Sequence, residues 1–100
     1  MNEAQIKAWI FLATAIASQK EPSDFAGIST IADGINHSVP SQKEIHNSVS
    51  FLMKQDLIVK MGGKYKLSSK GIIVFEEASM SSKKLREIWK QLEIQIKNYE

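Results

Sequence analysis

Apolar residues recur at helical spacing over the first part of the chain. Ile6, Trp9, Ile10, Ala13, Ile16 and Ala17 mark one face of a helix predicted over Glu3–Gln19, and Phe11 and Leu12 widen that face well beyond one stripe. Such a helix is either central in a core or shared with a second subunit. Lys20–Asp24 is a loop broken by Pro22. A second helix is expected over Phe25–Asn36, with Ile28, Ile31, Ala32 and Ile35 inward. Gly27 and Gly34 weaken it, each by about 1 kcal/mol relative to Ala. Ser38-Val39-Pro40 is the turn that follows.

The third helix announces its start. Ser41 and Glu44 have the S-x-x-E spacing of a capping box, in which hydroxyl and carboxylate each satisfy a free amide of the first turn. Ile45, Val49, Leu52 and Met53 form its buried face. Lys43, His46, Asn47, Ser50 and Lys54 fall opposite, at about 100° per residue. Leu57–Met61 then reads as a strand, Gly62-Gly63 as a tight hairpin turn and Lys64–Leu67 as the return strand. On that strand Tyr65 and Leu67 share one face, and Lys64 and Lys66 the other.

The remainder is less regular. Ser68–Gly71 is a turn, and Ile72–Ala78 is ambiguous between strand and helix by pattern. Ser81 or Ser82 is expected to cap a last helix reaching about Asn98, with Leu85, Ile88, Trp89, Leu92, Ile96 and Tyr99 as its apolar stripe. The expected fold class is mainly α with a small β-hairpin (α+β). Residues 1–80 form the main domain, and 81–100 an added amphipathic helix.

Composition narrows the chemistry. With 100 residues and 43% apolar content, the chain is expected to form one modest globular core. There is no cysteine, which excludes disulfides, thiolate metal sites and cysteine catalysis and fits a cytoplasmic location. Trp9–Ala17 is apolar enough to suggest a leader. However, Glu3 precedes it, and the uncharged run between Lys7 and Lys20 falls short of the ~20 residues of a membrane span. It is expected to be a buried helix, with no membrane partner. Charge is concentrated in Pro40–Gly71, where six lysines stand against Glu44 and Asp56, giving +4 in a chain of net +2.

The segment from Val39 to Gly71, VPSQKEIHNSVSFLMKQDLIVKMGGKYKLSSKG, resembles winged helix-turn-helix transcriptional regulators of the PadR and MarR kind. In those, a recognition helix turns into a wing that closes on Y-x-L-T-x-x-G. Tyr65–Gly71 fits with Ser68 in place of Thr, and Lys54–Ile58 sits where the family usually has Gly before Leu. The resemblance covers about Ile28–Glu77 and implies a helix over Ile72–Ser79, because these families have one after the wing. It likens the C-terminal helix to their dimerisation helix. Two features depart from the pattern: the link INHSVPS is long, and no Arg precedes Arg86 to read guanine bidentately.

The expected function is duplex-DNA binding by a small transcriptional regulator. Gln42, Lys43, His46, Asn47, Ser50 and Lys54 would lie on the recognition helix, with Lys60, Lys64 and Lys66 on the wing. The alternative is a protein-interaction module of the same fold without nucleic acid. The helix face also reads as ordinary solvated surface, and strand lysines also block edge-to-edge pairing. The last helix's stripe is either an internal brace or a dimer seam. The seam is the assignment taken, through Trp9, Leu85, Ile88, Trp89, Leu92 and Ile96, giving a homodimer. His37, His46 and Asp33 lack the convergence a metal needs, so no metal or cofactor is expected. No serine has a credible base and no phosphate loop occurs, so no enzyme is expected.

Overall fold

Helix α1, Glu3–Ala17, runs through the middle of the structure, a computed structural model that describes residues 1–100. Every residue from Ala8 to Ala15 is buried, so α1 has no solvent face over two turns. Around it pack α2 (Phe25–Asn36), α3 (Gln42–Lys54) and α5 (Leu85–Lys97), with β2 (Lys64–Leu67) and α4 (Ser69–Ala78) completing the shell. Burying Ile10, Phe11 and Leu12 contributes about 1.5–3 kcal/mol each. The two indoles tie the shell to the axis. Trp9 Nε1–H donates to the Ala32 carbonyl of α2, and Trp89 Nε1–H of α5 donates to the Gln5 carbonyl of α1, both at 2.9 Å. The rings stack with centroids 6.1 Å apart.

Strand β1 (Ile58–Met61) pairs antiparallel with β2, with Gly62 at φ 65° in the turn. A third strand is reduced to one bridge: Ser23, between α1 and α2, exchanges both backbone hydrogen bonds with Tyr65, at 2.8 and 2.7 Å. This bridge and the stacking of Phe25 on Tyr65, with centroids 4.9 Å apart, anchor a hairpin that would be marginal alone. Helix–turn–helix α2–α3 followed by the β1–β2 wing is a winged-helix arrangement, to which α5 adds a further helix.

One hydroxyl organises the passage from wing to α4. Ser68 Oγ donates to the Asp56 carbonyl at 2.5 Å and accepts from the Gly71 amide at 2.9 Å, capping α4. Gly71 lies so close to the Leu57 carbonyl that a Cβ there would sit 2.1 Å from its oxygen. Asp56, which precedes Leu57, adopts the left-handed φ of 61°. That is the conformation in which Gly carries no Cβ penalty and which Asp tolerates.

Several boundaries and roles differ from the sequence reading. α1 stops at Ala17, two residues short of Gln19, and β1 starts at Ile58. α4 begins at Ser69, three residues before Ile72, because Ser68 is a better cap than the turn reading allowed. Neither Ser81 nor Ser82 caps α5. The cap position is Lys84, which makes no side-chain cap bond, and Ser82 Oγ instead accepts from the Lys84 amide at 3.1 Å. The expected seam residues Trp9, Ile88, Leu92 and Ile96 are buried within the chain's own core, and Trp89 is half-buried against α1. Of that set only Leu85 is exposed. The stripe is therefore an internal brace: α1 had apolar surface on every side, and α5 covers part of it.

Gly71→Ala is expected to cost about 2–4 kcal/mol, because backbone rather than a mobile side chain blocks the new methyl. Asp56→Gly should gain about 0.5–1 kcal/mol by relieving the left-handed residue. Urea denaturation of the two variants beside the parent checks both signs.

Candidate nucleic-acid interface

The orientation of α3 follows from its two ends and its inner face. The capping box forms as expected, with Ser41 Oγ accepting from the Glu44 amide at 3.0 Å and Glu44 Oε1 accepting from the Ser41 amide at 2.8 Å. Ile45, Ser48, Val49 and Leu52 are buried toward α1, and Met53 is partly buried. Gln42, Lys43, His46, Asn47 and Lys54 consequently face solvent together, with Ser50 half-buried beside them. The link from α2 runs from His37 to Ser41. It opens with His37 at φ 54°, whose backbone N–H donates to the Asp33 carbonyl at 2.6 Å. His37 and Asp33 thus end α2, and His46 stands on the outer face of α3.

The wing lysines do not form one set. The register pairs Lys60 with Tyr65, Val59 with Lys66 and Met61 with Lys64. Directly paired residues share a sheet face, so Lys64 and Lys66 project on one side and Lys60 on the other. Lys60 Nζ lies 6.0 Å from the Tyr65 ring centroid. The sequence reading grouped all three by charge, without applying the register that a two-residue turn at Gly62-Gly63 implies.

Electrostatically the α3 and wing cations are uncommitted. The two ion pairs of the chain are Lys7–Glu100 and Lys97–Glu93, each at 3.3 Å. Lys43, Lys54, Lys60, Lys64 and Lys66 take part in neither. Lys70 is different. Its Nζ donates to the Gln55 carbonyl at the end of α3 at 3.1 Å and sits 4.8 Å over the Tyr99 ring. It contributes to the charge of the segment but is occupied structurally. Lys54, in the last turn of α3, also favours the negative end of the helix dipole.

Two exposed apolar residues border this surface and were missed in the sequence. Val39 is 68% exposed just before α3, and Met61 is 52% exposed at the wing tip. Val39 belongs to no periodic run, whereas Met61 pairs with Lys64 on the polar face of the wing, where the strand alternation puts it outward. Comparison of the chain with protein-family models, with curated proteins and with solved structures gives no match.

Because Lys43, His46 and Asn47 are exposed and their side chains make no hydrogen bond or ion pair within the chain, Lys43→Ala, His46→Ala and Asn47→Ala should each change stability by no more than about 0.5 kcal/mol. Thermal unfolding of the three variants checks that this face is free of structural duty.

Proposed function

We propose that the chain is a winged-helix protein that binds duplex DNA and acts as a small transcriptional regulator, with α3 entering the major groove. The observation that carries this reading is the outer face of α3. It is a capped, rigid helix face bearing Gln42, Lys43, His46 and Asn47, all exposed, with lysines beside it that no acidic side chain neutralises. Asn47 and Gln42 have the amide geometry that pairs with adenine, and Lys43 can meet guanine or phosphate. Lys64 and Lys66 on one wing face, and Lys54 at the end of α3, suit phosphate oxygens. With no Arg in α3 or the wing, phosphate attraction outweighs base reading in this interface.

A second reading has its own observation. Val39 before α3 and Met61 at the wing tip expose apolar side chains, which suit a protein partner better than a phosphate backbone.

Fluorescence anisotropy with a labelled random-sequence duplex separates them. Four phosphate-contacting lysines give a slope of log Kobs against log salt of about −4. Lys66→Ala and Lys64→Ala should each lower that slope by about 1, and Lys60→Ala by less, because Lys60 is on the opposite wing face. No binding at low salt would sink the DNA reading and leave the protein-interaction module standing.

A further inference from the structure

The DNA reading leaves the α4–α5 corner unused, and that corner carries an unusual order of side chains. Met80 is 82% exposed, more than any other large apolar residue of the chain. Glu76 and Glu77 precede it by four and three residues, and Lys83 and Lys84 follow it by three and four. The sequence EEASMSSKK is thus a palindrome of inverted charge centred on Met80.

The structure presents these groups outward. All four charged residues are exposed, and neither ion pair of the chain includes them. The Met80 amide donates to the Glu77 carbonyl at 3.3 Å, which carries the last turn of α4 one residue further. Ile73, 57% exposed, lies four residues before Glu77 on the same side of α4. Leu85 is exposed on the other side. The corner is held by its own serines: Ser79 Oγ donates to the Glu76 carbonyl and Ser82 Oγ accepts from the Lys84 amide, both at 3.1 Å.

We infer that this corner is the contact between two copies of the chain, related by a two-fold axis passing close to Met80. A two-fold interface repeats every contact, because residue i meets j and j meets i. Here Glu76 and Glu77 of each copy face Lys83 and Lys84 of the other, with the two Met80 side chains at the axis. Ile73 and Leu85 extend the apolar part. The charge order selects the occupant: a surface of one sign would call for a partner of the opposite sign, whereas this one complements itself. Exposed ion pairs contribute little each and are screened by salt, so the association is weak and salt-sensitive. The inference does not depend on DNA binding.

Sedimentation analysis of the full chain tests it. The parent should dimerise at low salt and dissociate as salt shortens the Debye length from about 30 Å to about 3 Å. E76K/E77K and K83E/K84E should each raise the dimer dissociation constant about tenfold or more, since each places like charges in contact. An equimolar mixture of the two variants should recover parental association as a heterodimer. So should the single chain carrying all four reversals. Circular dichroism confirms that each variant folds, and Met80→Asp gives an independent disruption if a reversal variant does not. A parent that stays monomeric at low salt overturns the inference. So does a dimer indifferent to the reversals, because the copies would then meet elsewhere.

Discussion

The burial of α1 on every side is the constraint on which the rest of the molecule depends. From Ala8 to Ala15 every residue of this helix is buried, so its neighbours must surround it rather than stack on one face. A three-helix winged-helix core does not supply enough surface for that. α5 closes the remaining side, with Ile88, Leu92 and Ile96 joining the same apolar cluster as Ile28, Ile45 and Leu52. The two indole hydrogen bonds then fix the depth at which α2 and α5 sit, because a buried indole N–H left without a partner is costly.

The same closure links the C-terminus to the far end of α3. Lys7 of α1 lies 4.0 Å over the Phe51 ring of α3 and 3.3 Å from Glu100 Oε1. Lys70 of α4 meets the end of α3 and the Tyr99 ring. The two lysines therefore hold the last residues of the chain against the base of α3, opposite its exposed polar face. An inner side packed against α1 and an exposed outer side are what a helix needs to dock a partner without rearranging. The α4–α5 corner lies outside these ties, which leaves its charges available to another molecule.

Local chemistry was the legible part of this fold. The capping box at Ser41 and Glu44, the Gly62-Gly63 turn and the alternation of Tyr65 and Leu67 each involve residues within a few positions of one another. Each formed as read. The start of α4 was missed although its cap bond, from the Gly71 amide to Ser68 Oγ, is local: with Gly at the third position there is no carboxylate to complete a capping box, and the segment read as a turn. The cap of α5 was misplaced for the converse reason: Ser82 has the right chemistry, but the chain turns at Lys84 and the hydroxyl serves a local turn instead. On the candidate site, helical spacing gathered Lys43, His46, Asn47, Ser50 and Lys54 onto one face, and the structure exposes all of them but the half-buried Ser50. On the wing, grouping by charge joined Lys60 to Lys64 and Lys66, although the two-residue turn already sets Lys60 opposite Tyr65 and so on the other face.

The sequence by itself determined which residues are apolar, where most helices begin and where the hairpin turns, because these follow from periodicity, caps and backbone freedom. It also determined the inverted charge order around Met80. Only the tertiary structure decided which apolar surface is spent internally. Amphipathicity states that a face must be covered and is silent about what covers it. The stripe of α5 and the excess apolar surface of α1 satisfy each other within one chain, so Trp9 and Trp89 became internal ties rather than interface anchors. The exposed apolar residues that remain, Met80 foremost, are those that this mutual burial leaves outside.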